Sequence, residues 1–184
     1  MLLTDDQLRD LVAGRPVGTD WPYVGGSEAD IEKHLRRAVA MLRSTGVLEV
    51  EADFEHYGSG YASYVHVFCE KTRGRSRTHR DGTDWIDGIA VYLSRLTPFA
   101  IYGQEQRTKH ATGGSQGYVS AADVYSLPAG DWQKESAAIR RVLRDLGFVL
   151  PERDRLVDRL PFRLRIPTVL DDKHVYDAMF YWED

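Results

Sequence analysis

The chain has 184 residues, of which 42% are hydrophobic and 28% charged, with a formal net charge of -4 and a pI of about 5.9. These values are typical of a globular domain, and the acidic balance argues against sequence-independent nucleic-acid binding, which depends on many Lys and Arg contacts to phosphate. The apolar runs are far shorter than the roughly 20 residues of a membrane-spanning helix. An acidic N-terminus without a secretory signal and a single cysteine, Cys69, predict a cytoplasmic protein.

Two helices are predicted in the N-terminal part. Thr4 and Gln7 have the spacing of a capping box, and a short apolar stripe follows them before Gly14. Ser27 is a good N-cap for a second helix that ends near Gly46. The apolar positions of this second helix recur with a 3.6-residue period: Ile31, Leu35, Ala38, Val39 and Leu42.

From Val47 the period changes to two, which predicts a strand over residues 48–55. Aromatic and β-branched residues then predict three more strands, at 61–70, 85–93 and 99–105. The polar segments 71–84 and 106–117 lack apolar periodicity and are interpreted as loops.

The C-terminal part is predicted to hold a third long helix, a short helix and a last strand. Asp131 caps the long helix and Gly147 ends it, with one apolar stripe between them. Residues 118–120 indicate a short strand and 121–126 a helical turn, 153–159 a short helix, and the aromatic run 175–183 a final strand. We predict one α+β domain over residues 1–184. Its antiparallel or mixed sheet has about five strands, with two long helices and one or two short helices packed mainly on one face.

Few residues indicate catalysis. Residues 113–117 match the Gly-x-Ser-x-Gly pattern of a nucleophile elbow around Ser115, but neither a buried strand before it nor a helix after it is indicated. His66 and Cys69 are three residues apart in one strand, so their side chains are expected on opposite faces, and Cys69 is interpreted as a buried structural thiol. The histidines are scattered and no metal or nucleotide motif is found, so we predict no catalytic residue, metal or cofactor.

Two charged features remain. The first is an acidic row along the first strand, expected to face water: Glu49, Glu51, Asp53 and Glu55. Such a row fits a basic protein partner, since opposite potentials speed encounter and exclude wrong partners. The second is the basic segment 71–80, a candidate anion-binding loop with four arginines: Arg73, Arg75, Arg77 and Arg80.

Segments of the C-terminal half resemble a group of small bacterial proteins. Residues 175–184, together with Gly130-Asp131-Trp132 and Leu160-Pro161-Phe162, resemble uncharacterised small bacterial proteins of the kind encoded near polymorphic toxins. The resemblance implies an immunity-type protein that occludes a toxin. It includes no catalytic signature, so it transfers no functional residue.

We therefore expect a non-enzymatic binding protein, acting as an immunity protein or antitoxin against a toxin with a basic surface. Its docking residues would be the acidic row and the aromatic, acidic tail: Tyr181, Trp182, Glu183 and Asp184. One alternative is a hydrolase-like enzyme whose site assembles from distant residues such as His66, His110 and Ser115. The other is a nucleic-acid-associated protein that uses the basic segment, although no RNA-recognition signature accompanies it. The sequence predicts neither the oligomeric state nor the strand order.

Overall fold

The computed structural model describes residues 3–56, 60–73, 76–163 and 173–183. The helices within these ranges are α1 (Asp5–Val12), α2 (Glu28–Arg43), α3 (Gln133–Asp145), α4 (Arg153–Leu156) and α5 (Val175–Met179), with a 3-10 helix at Ala121–Asp123. The strands are β1 (Leu48–Asp53), β2 (Tyr61–Ala62), β3 (Tyr64–Lys71), β4 (Arg77–Arg80), β5 (Thr83–Ser94), β6 (Ala100–His110), β7 (Gly113–Gln116) and β8 (Trp182–Glu183). None of the helices in these ranges combines the length and apolar content that crossing a membrane requires.

The chain folds as an α+β protein around an antiparallel sheet, as predicted. The main sheet has six strands in the order β1-β3-β5-β6-β7, with β4 paired to the first half of β5. β3 pairs with the second half of β5, which explains how one 12-residue strand has two neighbours on the same side. β2 and β8 form a separate two-stranded sheet.

The two long helices pack together on one face of the main sheet, the helix-covered face. The stripe of α2 that was predicted from its period is buried, and the stripe of α3 is buried beside it. Both meet the alternate residues of β3 and β5 that point to this face, such as Val67 and Val91. The capping boxes Thr4–Gln7 and Ser27–Asp30 are both formed, so these two helix starts are confirmed.

The opposite face, the second face, is covered at one end only. The short helices α1, α4 and α5 pack there around the stacked rings of Tyr64 and Tyr92. Tyr176 and Phe180 extend this aromatic cluster from the C-terminal segment. The other end of the second face carries charged side chains.

Both polar segments predicted as loops form strands within their described residues. Residues 77–80 are β4, joined to β5 by a two-residue turn in which Asp81 and Gly82 both have positive φ. Asp-Gly between two strands is the signature of a type I′ hairpin, and this signal was present in the sequence. Segment 106–117 also departs from the prediction, because β6 continues to His110 and β7 pairs back onto it.

The prediction of a long final strand was wrong. Residues 175–179 form α5, which begins where the Asp177 carboxylate accepts a hydrogen bond from the His174 backbone N–H at 2.7 Å. Only β8 is extended, and it pairs with β2 rather than with the main sheet. Residues 118–120 are not a strand, since the Val119 N–H donates to the Tyr92 hydroxyl at 2.9 Å. The short helix predicted at 153–159 ends earlier, at Leu156.

Candidate functional site

The acidic row of β1 lies on the second face of the sheet. The register places Asp53 beside His66, Glu51 beside Phe68 and Glu49 beside Glu70. Since directly paired residues share a face, these carboxylates adjoin β3 side chains on the face opposite to α2 and α3. β1 ends at Asp53, and Glu55 lies beyond it, where its backbone N–H donates to the Asp53 carboxylate at 2.7 Å. Three of the four predicted carboxylates therefore form the row, and Glu55 does not belong to it.

Glu51 is paired with cations of the same chain. Its carboxylate lies 3.2 Å from the Arg107 guanidinium and 3.1 Å from the Lys109 ammonium. Both cations belong to β6, which is separated from β1 by two strands, so the side chains reach across the sheet. The expectation that the whole row faces only water is thus wrong at Glu51, its central residue.

Arg107 also belongs to a buried network with His66 and Glu105. Its Nε lies 2.9 Å from Glu105 Oε1, and His66 Nε2 lies 2.7 Å from Glu105 Oε2. The Glu105 side chain is fully buried and that of His66 is 1% exposed. The Arg107 guanidinium lies 4.0 Å from the centre of the Phe68 ring. A buried carboxylate is tolerated here because it is paired and hydrogen-bonded.

The network assigns the hydrogen-bonding roles of the two His66 ring nitrogens. Arg107 Nη2 lies 3.1 Å from His66 Nδ1, and a guanidinium can only donate hydrogen bonds. Nδ1 therefore accepts, and the ring proton resides on Nε2, from which it is donated to Glu105. Both ring nitrogens of His66 are thus used within the protein.

A second pair lies nearby on the same face, between Glu70 and Arg77. Arg77 donates two hydrogen bonds to the Glu70 carboxylate, at 2.6 and 2.7 Å, and the Ser76 hydroxyl donates a third at 2.8 Å. Burial raises the pKa of Glu70, but the hydrogen bonds from Arg77 and Ser76 outweigh burial and the pKa is lowered. Arg77 is therefore held by a carboxylate of its own chain.

The arginines of the basic segment do not form one anion site. Arg77 and Arg80 are three positions apart in β4, so their side chains lie on opposite faces. Arg80 is exposed, with its guanidinium 3.4 Å from Asp81. Arg73 is exposed, and Arg75 lies outside the described residues. Within the described part of this segment, the predicted anion-binding loop is split between two faces.

A different acidic surface forms where β1 ends, around Phe54. The Arg36 guanidinium lies 4.1 Å from the centre of the Phe54 ring, and Arg36 Nε donates to Glu32 at 2.7 Å. The Phe54 carbonyl accepts a hydrogen bond from Arg95 Nη2 at 2.9 Å. These contacts place the end of β1 beside the first half of α2, which carries Glu28 and Glu32.

The C-terminal strand brings a further carboxylate to this surface. β8 pairs with β2, with Glu183 opposite Tyr61. Burial lowers the pKa of Arg95, while the nearby charges of Glu32, Glu28 and Asp53 act in the opposite direction. Glu28 and Glu183 likewise add to the effect of burial in raising the pKa of Tyr61 to about 12. We call this surface the end patch, and its acidic members are Glu28, Glu32, Asp53, Glu55 and Glu183.

The predicted docking residues of the tail have different positions. Tyr181 is 2% exposed, its hydroxyl donates to the Leu11 carbonyl at 3.0 Å, and its N–H donates to the Ser63 hydroxyl at 2.9 Å. Tyr181 is thus a core residue and presents no surface to a partner. Trp182 and Glu183 are half-buried in β8, and Asp184 lies outside the described residues.

The residues of the enzyme alternative are not brought together. His66 is buried on the second face, whereas His110 and Ser115 are exposed on the helix-covered side of β6 and β7. Ser115 is in a strand rather than at a strand-to-helix turn, and its hydroxyl is 2.8 Å from that of Thr108. A cleft of about 840 Å³ lies between α1, α4 and α5, and none of the three residues lines it.

Cys69 is fully buried between the sheet and the two long helices. Burial raises the pKa of its thiol to about 12, so the reactive thiolate is strongly disfavoured at neutral pH. The interpretation of Cys69 as a structural thiol agrees with this position.

Within the described ranges, no group of three or more His, Cys, Asp or Glu side chains could hold a metal ion. No family model, no curated protein and no solved structure matches this chain.

Proposed function

We propose that this chain is a non-enzymatic binding protein that docks a basic protein partner through the end patch. The observation that carries the proposal is the convergence of three distant segments: α2, the end of β1 and β8 bring five carboxylates together against two guanidinium groups, Arg36 on Glu32 and Arg95. A clustered negative potential of this kind steers a positively charged partner and excludes like-charged proteins.

The end patch replaces the β1 row as the docking surface in this proposal. The Glu51 side chain is 61% exposed but paired with Arg107 and Lys109, and the end patch adds the exposed carboxylates of Glu28 and Glu55. Trp182, beside Glu183 in β8, adds an aromatic side chain of the type that anchors interfaces. In its specific form the proposal is an immunity function, in which the patch covers the basic surface of a toxin such as a nuclease.

The test uses the protein encoded next to this chain's gene, co-expressed with this chain and assayed for growth arrest. Wild-type chain is expected to restore growth and to co-purify with the neighbour, with affinity falling as salt is raised to about 0.5 M. The variant Glu55→Lys/Glu183→Lys is expected to lose both effects. The control Asp145→Lys/Asp154→Lys changes the net charge by the same amount at exposed positions outside the end patch. It should still restore growth and co-purify with the neighbour.

Two outcomes would contradict the proposal. Absence of any complex with the neighbour excludes the immunity form. A complex that both variants weaken equally shows that net charge, and not the end patch, governs binding.

A further inference from the structure

The main sheet extends beyond its helices. We call this extension the outer sheet: β4, residues 83–87 of β5, residues 106–110 of β6, and β7. Every residue of β4 and β7 is exposed. On the side of the sheet that carries α2 and α3, the buried core ends at Ile89 of β5, and Trp85 beyond it is 41% exposed.

Trp85 is at the centre of an uncharged row of side chains. The registers align Thr78 of β4, Trp85 of β5, Thr108 of β6 and Ser115 of β7 across the four strands. Directly paired residues share a face, so the row forms a band of three hydroxyl side chains with one indole ring. Exposed tryptophan in such a setting is the residue type most enriched among interface hot spots.

Charges of opposite sign lie on the two sides of this row. On the side of the β4–β5 turn, Arg80 pairs with Thr83. The β5–β6 register, continued by one residue beyond Asp84, places His110 on the other side of Thr83. Toward the core, Asp87 pairs with Gln106 and accepts a hydrogen bond from its amide at 2.8 Å. The face therefore carries the guanidinium of Arg80 and the ring of His110 at one end, an uncharged row in the middle and the carboxylate of Asp87 near the core.

This arrangement is complementary to itself. Suppose that a two-fold axis between two copies runs along the Trp85 row. Each β5 residue on one side of Trp85 then lies over the residue equally far on the other side of Trp85 in the second copy. Asp87 and Thr83 are such positions, so Asp87 of each copy would lie over Thr83 of the other, between Arg80 and His110. Each contact away from the axis of a two-fold interface forms twice, so the pairing of Asp87 with Arg80 and His110 occurs twice, whereas Trp85 meets Trp85 once on the axis.

We propose that two copies of this chain dimerise face to face through the outer sheet, with Trp85 packed on Trp85 and Asp87 of each copy between Arg80 and His110 of the other. Arg80 is available for this contact, because its present partner Asp81 is an exposed carboxylate 3.4 Å away. The face is four strands wide and three rows deep, so it buries on the order of 1,000 Å² in total, the size of weak complexes. The expected Kd is on the order of 10–100 μM.

The experiment is sedimentation equilibrium of the full chain from about 5 to about 500 μM, a range that brackets this Kd. Wild type should shift from monomer to dimer across the range. Trp85→Ser should weaken the dimer at least about tenfold, and Arg80→Glu and Asp87→Arg each about fivefold. The double variant Arg80→Glu/Asp87→Arg should return to within about threefold of wild type, because the reversed pair is again complementary. Trp21→Ser removes a tryptophan elsewhere that is more exposed than Trp85, 61% against 41%, and should have no effect.

Circular dichroism and thermal unfolding report whether each variant folds. If Trp85→Ser is unfolded, the charge reversals still test the interface, since Arg80 is exposed and Asp87 half-buried. The proposal is overturned by a monomer at every concentration, by a dimer that the folded Trp85 variant leaves unchanged, or by a double variant no better than the single ones.

Discussion

The Arg107 guanidinium donates to Nδ1 of His66 at 3.1 Å, so Nδ1 accepts while Nε2 donates to Glu105. The relationship predicts which substitution the site accepts. Glutamine can donate to Glu105 and accept from Arg107, whereas leucine can do neither. His66→Leu should lower the free energy of unfolding by about 2–4 kcal/mol, since it removes partners from a buried carboxylate and a buried guanidinium.

His66→Gln should recover at least about half of that loss, measured by urea denaturation at neutral pH. Long-range nitrogen–proton NMR on wild type should show a protonated Nε2 and an unprotonated Nδ1. A protonated Nδ1, or equal losses for the two variants, would contradict the hydrogen-bond assignment.

Glu70 predicts a pH dependence of stability. Its pKa in the folded protein is below the ordinary value of 4.5, so folding is favoured by the ionised carboxylate. This stabilisation is complete above the unfolded-state pKa and is lost as the pH falls through the folded-state pKa. Glu70→Gln should therefore cost about 1–3 kcal/mol at neutral pH and progressively less below about pH 4.5.

The measurement is the difference in unfolding free energy between wild type and Glu70→Gln at neutral pH and at about pH 3.5. Glu49→Gln, an exposed carboxylate on the neighbouring strand, is the control and should change stability by less than about 0.5 kcal/mol. A constant difference at both pH values would show that the carboxylate charge of Glu70 does not stabilise the fold.

Cys69 should be unreactive in the folded protein. Its burial and its pKa of about 12 leave almost no accessible thiolate. Modification by a disulfide reagent at about pH 8 should be at least about 100-fold slower than in urea-unfolded protein. Rapid modification of the native chain would mean that the sheet and α2 separate easily.

Gly88 should resist substitution because the Phe68 ring lies against its backbone. A Cβ at this position would lie 2.4 Å from the ring, closer than any real contact. Gly88→Ala should therefore lower the free energy of unfolding by about 1–3 kcal/mol. Phe68→Leu removes the contact with the ring, while the Cys69 carbonyl oxygen stays 2.9 Å from the added Cβ, so the double variant should recover part of the loss and be more stable than the sum of the two single effects predicts. Additive losses in denaturation experiments would exclude the clash as the cause.

Sequence reasoning succeeded where the information is local. The capping boxes, the period of α2 and the alternation in β1 each depend on residues within a few positions of one another. The missed strands β4 and β7 are polar on both faces, so no hydrophobic period marks them. The Asp81-Gly82 turn was the signal that could have predicted β4.

Composition, capping signals and alternation determined the α+β class, the long helices and the side of β1 on which its carboxylates lie. Only the tertiary structure decided what those carboxylates meet, because Glu51 and Arg107 are 56 positions apart and pair across two intervening strands. The same holds for the end patch, where α2, β1 and β8 converge. Electrostatic partners depend on distance in space, which strand order and register determine and which no local pattern encodes.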